Sequence, residues 1–232
     1  AFWAAVAGLF QNDIKKVLAY STISQLGYMF MAAGVAAFDV SIFHVFTHAF
    51  FKAALFLGSG AVIHALAGEQ DMRKMGGMLK KTPVTACVMI FAFLAIIGFP
   101  GFAGFWSKDL ILERLYVSGP MGPFLYMMAL LTAVITAIYM GRLMVLTFFG
   151  KYRGGEESEK HIHEAPASML IPMVILSLGS IFAGFLWAGL IPGANLFEQT
   201  LAPVVGQAQA AFGHASVHVS PWLFAVLGTI AA

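Results

Sequence analysis

His44, His48 and Lys52 follow one another at a spacing of four inside an apolar run that extends over residues 40–66. On a helix that spacing keeps the three on one face, about 6 Å apart per step. Lysine at bilayer depth costs roughly 2.5 to 3.5 kcal/mol on the mildest insertion scale, so it is kept there only where it faces a polar interior or performs a function. An imidazole accepts a proton on one nitrogen while donating from the other, and a lysine amine can carry the same proton. The spacing therefore reads as a proton path.

A second group follows 56 positions after Lys52, where Lys108 and Asp109 stand side by side with Glu113 one turn beyond. Just before it, Gly98, Pro100, Gly101 and Gly104 form a dense cluster of helix-weakening residues. Proline removes an amide donor and glycine tolerates the bend, so a helix is expected to break near Pro100. Free helix ends at membrane depth expose dipoles and unpaired backbone groups, which is where ions and protons are handled.

The elements that position these residues follow from composition. Hydrophobic residues are 60% of the chain and charged residues 10%, with several apolar stretches longer than the roughly 18 residues a spanning helix needs. The expected fold is all-α, a polytopic transmembrane helix bundle with a discontinuous helix. A β-barrel would show short alternating segments instead of continuous runs rich in Leu, Ala, Phe and Gly. A formal net charge of +2 gives no reason to expect a nucleic-acid partner, and the lone Cys87 permits neither an internal disulfide nor a CxxC metal knuckle. No secretory signal peptide is recognisable. Ala1 and Ala232 both lie in apolar runs, as expected for a segment of a longer polypeptide.

The expected spans are 1–10 (the end of one), 17–37, 40–66, a broken fourth over 83–117, 124–149, 167–191, and a seventh beginning near Pro221. Unbroken, the fourth would be about 50 Å long, too long for a core of about 30 Å. Residues 193–220 are read as a small-residue connection. The loops at Lys15, at 68–82 and at 150–164 carry the basic residues, whereas those at Asp39, 118–123 and 193–220 contain no Lys or Arg. The first set is therefore expected to be cytoplasmic. Blander roles are weighed alongside. Lys52 could belong to a buried ion pair, and Lys108 could snorkel to an interface. His64 reads as a packing histidine, Lys15 and Lys16 as topology markers, and His161 and His163 beside Glu164 as a solvated loop. The many Phe and Met residues imply no cofactor.

Four ordered blocks carry a family resemblance. They are Gln11-Asn12-Asp13-Ile14-Lys15-Lys16 running on to Ser24-Gln25-Leu26-Gly27-Tyr28-Met29; His44-Val45-Phe46-Thr47-His48-Ala49-Phe50-Phe51-Lys52-Ala53; Lys74-Met75-Gly76-Gly77; and Gly104-Phe105-Trp106-Ser107-Lys108-Asp109-Leu110. Over residues 11–113 the chain resembles the antiporter-like proton-pumping membrane subunits of respiratory complex I, NADH:quinone oxidoreductase. Ser107-Lys108-Asp109 resembles the L type rather than the M type, where a glutamate is expected. The resemblance implies an inverted-repeat antiporter-like fold, with residues 1–150 as the C-terminal part of a proton-translocating repeat and 151–232 as further transmembrane helices. It implies that Lys52 is the central lysine of a half-channel, that His48 and His44 are the connecting histidines, and that Lys108, with Asp109, lies toward the exit. The family's first half-channel has no counterpart in this chain.

The resemblance further implies that no cofactor is held here, with NADH, FMN, iron-sulfur clusters and quinone in partner subunits. The partners would be other membrane-arm subunits, including an adjacent antiporter-like one, and the location a bacterial cytoplasmic membrane. An Mrp-type cation/proton antiporter subunit or a membrane-bound hydrogenase subunit shares the fold and is the alternative. A haem module using His44 or His48 would need a second histidine on a facing helix at similar depth.

Overall fold

The computed structural model describes residues 1–160, 162–188 and 196–211, and among them all regular structure is helical apart from one isolated bridge, Asp13 to Asp71. In order these helices are α1 (Phe2–Leu9), α2 (Ile14–Gly34), α3 (Phe38–Ala65), α4 (Met78–Lys81), α5 (Pro83–Ile97), α6 (Ala103–Tyr116), α7 (Gly122–Phe148), α8 (Glu156–Glu159), α9 (Ala167–Phe182), α10 (Phe185–Ala188) and α11 (Leu196–Ala211). A short 3-10 turn, Met72–Lys74, lies between α3 and α4. Helices suit this composition because a helix pairs its own backbone groups where lipid offers no partner. α3 and α7 are each long and apolar enough to cross a membrane, at 28 and 27 residues.

α3 is the hub of the bundle, packing on α2, α5, α6, α9 and α11. At the start of α2, Asp13 accepts from the amides of Lys15 (2.8 Å) and Lys16 (3.1 Å), an N-cap that fixes where the helix begins. Arg142 of α7 donates to the Gln11 carbonyl at 2.6 Å and so ties the α1–α2 turn to the end of α7. The first two basic loops are zipped together, Ile14 N–H to the Gln70 carbonyl (3.1 Å) and Met72 N–H to the Asn12 carbonyl (2.9 Å). Arg153 adds the third by donating to the Arg73 carbonyl (2.8 Å) and the Met72 carbonyl (3.0 Å). All three basic loops thus meet at one end of the bundle, as the charge pattern predicts.

The break expected near Pro100 is present. α5 closes in a Schellman turn, with Gly98 at φ +85°, its amide on the Ala95 carbonyl (3.1 Å) and the Phe99 amide on the Leu94 carbonyl (2.9 Å). Glycine is needed because that backbone region is costly for any residue with a Cβ. α6 then starts at Ala103 beside the last turn of α5 and carries the chain onward, α5 packing in one apolar core (Ala92, Ala95, Ile96) and α6 in the other (Ile111, Leu112, Leu115). A Cβ on Gly104 would collide with the carbonyl oxygen of Ala95 and sit 2.9 Å from its carbon, so the two half-helices touch backbone to backbone.

Two expectations need correction. The span 167–191 is not continuous: α9 closes with the Ala183 amide on the Gly179 carbonyl (2.9 Å), and the chain turns so that Phe185 of α10 reaches the ring of Trp106, 6.0 Å away. The connection 193–220 contains α11, which lays Phe197 against Phe43 (5.4 Å) and Phe46 (5.5 Å) of α3. The span expected from Pro221, and His161, lie outside the described residues.

Candidate functional site

Two apolar cores sandwich a polar layer, and the helices reveal it register by register. On α2 the order is Ile14, Val17 and Leu18, then Ser21, Ser24 and Gln25, then Tyr28 and Ala32. On α3 it runs the other way: Val40, then Ser41, His44 and Thr47, then Phe51, Ala54 and Leu55. α7 repeats it with Ala129, then Thr132 and Thr136, then Tyr139 and Leu143. Every one of these polar side chains is buried. Hydrogen bonds between helices join much of the layer, with Ser41 donating to the Met29 carbonyl, Tyr139 to Ser21, and His44 bonded to Gln25 and Ser107, while Thr132 and Thr136 bond within α7.

Lys52 stands near the middle of α3, about 20 Å from either end, and is 4% exposed. Its ammonium donates to the Leu18 carbonyl of α2 at 3.2 Å, an oxygen that also receives the Thr22 hydroxyl at 2.9 Å. Among the described residues that is its one hydrogen-bond acceptor, and no carboxylate pairs with it, so the buried ion pair weighed for this lysine does not form there. His48 is half-buried, with its ring edge-to-face on Phe51 at 5.3 Å, and among the described residues its Nε2 has no hydrogen-bond partner. His44 is wholly buried, with Nδ1 at 2.9 Å from the Ser107 hydroxyl and Nε2 at 3.1 Å from Gln25 Oε1. The rings of His44 and His48 are 6.1 Å apart, close enough for one water to bridge and too far for a direct bond.

Lys108 is 4% exposed, which excludes the snorkelling alternative within this fold. The break holds it. A helix leaves its last carbonyls unpaired, and the Schellman turn at Gly98 satisfies those of Leu94 and Ala95 only. The Lys108 ammonium takes the next one, the Ile96 carbonyl, so a cation sits at the negative end of the α5 dipole. The same ammonium lies 5.7 Å from the centre of the Tyr28 ring, whose hydroxyl donates to the Ala129 carbonyl of α7 at 2.5 Å. Asp109 is half-buried beside it, and among the described residues its Oδ2 has no hydrogen-bond partner.

The structure therefore brings His44 and Lys108 to the same layer from different helices, with Tyr28 beside both, while Lys52 and His48 lie along α3 from them. The sequence pattern did not single out Gln25, Thr47, Ser107 or Tyr28. A polar residue inside an apolar span was the available signal, and it does not reveal which helix it faces. Of the loop residues, His163 packs against His64 at 5.9 Å, and Glu164 caps α5, accepting from the Val84 amide (2.8 Å) and the Thr85 hydroxyl (2.6 Å).

Comparison with known proteins places this arrangement. The family described as NADH:quinone oxidoreductase/Mrp antiporter, TM, matches residues 1–137. NADH-quinone oxidoreductase subunit L of Rhodobacter capsulatus is 50% identical over 198 residues, covering 81% of this chain and 28% of its own length. NADH-ubiquinone oxidoreductase chain 5 of Metridium senile is 44% identical over 228 residues, covering 98% of this chain and 36% of its own. The chain thus spans about a third of the length of these curated relatives. Among solved structures, a membrane-bound sulfane sulfur reductase, an archaeal respiratory membrane complex, superposes with TM-score 0.74 at 26% identity, over 94% of this chain and 40% of that one. The Mrp complex from a Dietzia species gives TM-score 0.74 at 26% identity, over 99% of this chain and 25% of that one. The matched residues 1–137 contain His44, His48, Lys52, Lys108 and Asp109 together with the broken helix, and this chain belongs to the NADH:quinone oxidoreductase/Mrp antiporter transmembrane family.

Proposed function

We propose that this chain is part of a proton-translocating, L-type membrane subunit of an NADH:quinone oxidoreductase, and that it carries H+ along Lys52, His48, His44 and Lys108, with Asp109 beside the last. The observation that carries the reading is a line of buried polar groups: wholly buried His44 and Lys108, 4% exposed, in the layer between the two apolar cores, and Lys52, also 4% exposed, farther along α3 beside Leu18 and Phe51 of one core. A bundle that needed only packing would fill these positions with apolar side chains, because burying an ion without an opposite charge costs several kcal/mol. Lysine amines and imidazoles can each lose and regain a proton, and water entering between them would complete the steps of about 6 Å. Identity near 50% to subunits named for NADH-quinone oxidoreductase supports the complex I reading over the Mrp one, for which likeness stands at 26%.

On this reading residues 1–150 are the C-terminal part of one proton-translocating repeat, 151–232 are additional helices, and the membrane is a bacterial cytoplasmic one with the basic loops inside. NADH, FMN, iron-sulfur clusters and quinone would lie in partner subunits, and the neighbours in the membrane would include an adjacent antiporter-like subunit. The test is whether transport depends on electron flow. In vesicles holding the parent complex, NADH oxidation by quinone should acidify the trans side and stop when quinone reduction is inhibited. Cation/proton exchange that persists without any redox partner would favour the Mrp-type antiporter.

A further inference from the structure

His44 cannot take part in a relay without its neighbours, because both ring nitrogens are engaged. Nδ1 lies 2.9 Å from Ser107 Oγ and Nε2 lies 3.1 Å from Gln25 Oε1. A proton reaches or leaves this ring only at a nitrogen that one of those two groups now occupies.

The neighbours have more than one way to satisfy themselves. Thr47 Oγ1 is 2.9 Å from Ser107 Oγ and 3.2 Å from the carbonyl of His44, while Ser107 Oγ is also 3.3 Å from the Ala103 carbonyl. Each hydroxyl has one proton and two places to send it. In a first pattern His44 carries its proton on Nε2 and donates to Gln25 Oε1, Ser107 donates to Nδ1, and Thr47 donates to Ser107. In a second, the proton is on Nδ1 and goes to Ser107 Oγ, Ser107 donates to the Ala103 carbonyl, and Thr47 donates to the His44 carbonyl. Nε2 then needs a donor, and Gln25 supplies one if its amide turns over. Among the described residues the buried amide nitrogen of Gln25 has no partner, so turning it forfeits none of that nitrogen's bonds there.

We propose that Gln25, Thr47 and Ser107 form a tautomer switch for His44, positioning residues that let one imidazole receive a proton on one nitrogen and release it from the other. The doubly protonated ring is also accommodated, its two N–H groups donating to Gln25 Oε1 and Ser107 Oγ. One N–H bond forms at Nδ1, one breaks at Nε2, and no electrons move. The incoming and outgoing proton is carried by water or by a lysine amine. All four side chains are fully buried, which makes an unpaired nitrogen on the His44 ring expensive at either stage and gives the switch its reason. The titratable groups around His44 are His48 and Lys52 on α3, Lys108 and Asp109 on α6, and Tyr28 on α2, so a pH profile alone does not isolate it. This inference rests on the relay proposed above.

The experiment uses the parent complex reconstituted in vesicles, with the ratio of protons translocated to quinone reduced and its solvent deuterium isotope effect as readouts. Thr47→Val, nearly the same shape, and Gln25→Met should assemble, lower the ratio about threefold or more and raise the isotope effect. Thr47→Ser, which keeps the hydroxyl, should restore most of the ratio. Ser107→Ala should lower it furthest; if that variant does not assemble, the other two decide. Wild-type ratio and isotope effect in both Thr47→Val and Gln25→Met would overturn the switch, as would a Thr47→Ser variant no better than Thr47→Val. Lys52→Met is run beside them. If it loses translocation while Thr47→Val and Gln25→Met do not, the switch alone is wrong; if it too pumps normally, the relay reading fails.

Discussion

Replacing Gly104 by alanine tests whether the elbow between α5 and α6 is what holds Lys108 inside the bundle. The added methyl would collide with the Ala95 carbonyl oxygen and lie 2.9 Å from its carbon, so α6 must back away by about 1 Å or more to reach ordinary contact. Overpacking of this kind costs about 1 to 3 kcal/mol. The Lys108 bond to the Ile96 carbonyl spans the same gap, and a hydrogen bond from a charged donor contributes about 1.5 to 3 kcal/mol. With partial relaxation of the flexible lysine stem, the expected loss is about 2 to 5 kcal/mol. For a chain of this size that lowers the midpoint of thermal dissociation by an amount on the order of 10 °C. The assay is stepwise heating of the purified parent complex, with retention of this subunit read on native gels and proton translocation measured on the fraction still assembled. Gly141→Ala is the control, because a Cβ there meets nothing within 4 Å and alanine favours a helix interior over glycine by about 1 kcal/mol. A Gly104→Ala complex with wild-type thermal retention and wild-type translocation would show that the close approach of α6 to Ala95 does not hold Lys108 in place.

Further predictions address the ends of the bundle. Single cysteines at Gly68 and Gly154 in a Cys87→Ala background should react with impermeant thiol reagents from the cytoplasmic side alone, and one at Gly119 from the opposite side alone; labelling of all three from one side would overturn the topology. Glu164→Ala should uncap α5, where Thr82 makes no cap bond of its own, at a cost of about 1 kcal/mol, and speed tryptic cleavage at Lys160; an unchanged rate would show the cap to be idle. The Arg73 guanidinium bonded to Asp71 holds that carboxyl at about 2, below the ordinary 3.8. A depressed carboxylate contributes its stability above the unfolded value and loses it as pH falls through the folded one, so the loop clasp should hold above about pH 4 and open toward pH 2. Pepsin cleavage of loop 68–82 should rise over that window in the native protein relative to Asp71→Asn; parallel courses would contradict the assignment.

How much was legible in the sequence differs from place to place. The broken helix was, because Gly98, Pro100, Gly101 and Gly104 each weaken a helix locally and need no knowledge of what lies opposite. The one-sided loops were, because charge counts do not depend on packing. Gln25 and Ser107 stood in the quoted motifs but carried no sign of pairing with His44, since 19 and 63 residues separate them and only the bundle brings them together. α11 was missed because its glutamines, alanines, Gly206 and internal Pro203 resemble a connection, whereas Phe197 finds its reason in the rings of Phe43 and Phe46. The end of α9 was placed too late for a similar reason: the turn before Phe185 answers to Trp106, from another helix.

The relay itself is tested most directly by counting protons per electron pair in vesicles reconstituted with Lys52→Met. The substitution removes the ammonium from the Leu18 carbonyl, but that oxygen keeps the Thr22 hydroxyl at 2.9 Å, so no acceptor is orphaned and the complex should assemble and still reduce quinone. The proton count should fall by at least the share this half-channel carries, and Lys52→Arg, which keeps the charge but does not release a proton at working pH, should fail similarly. A Lys52→Met complex that assembles and translocates the wild-type number of protons would contradict it.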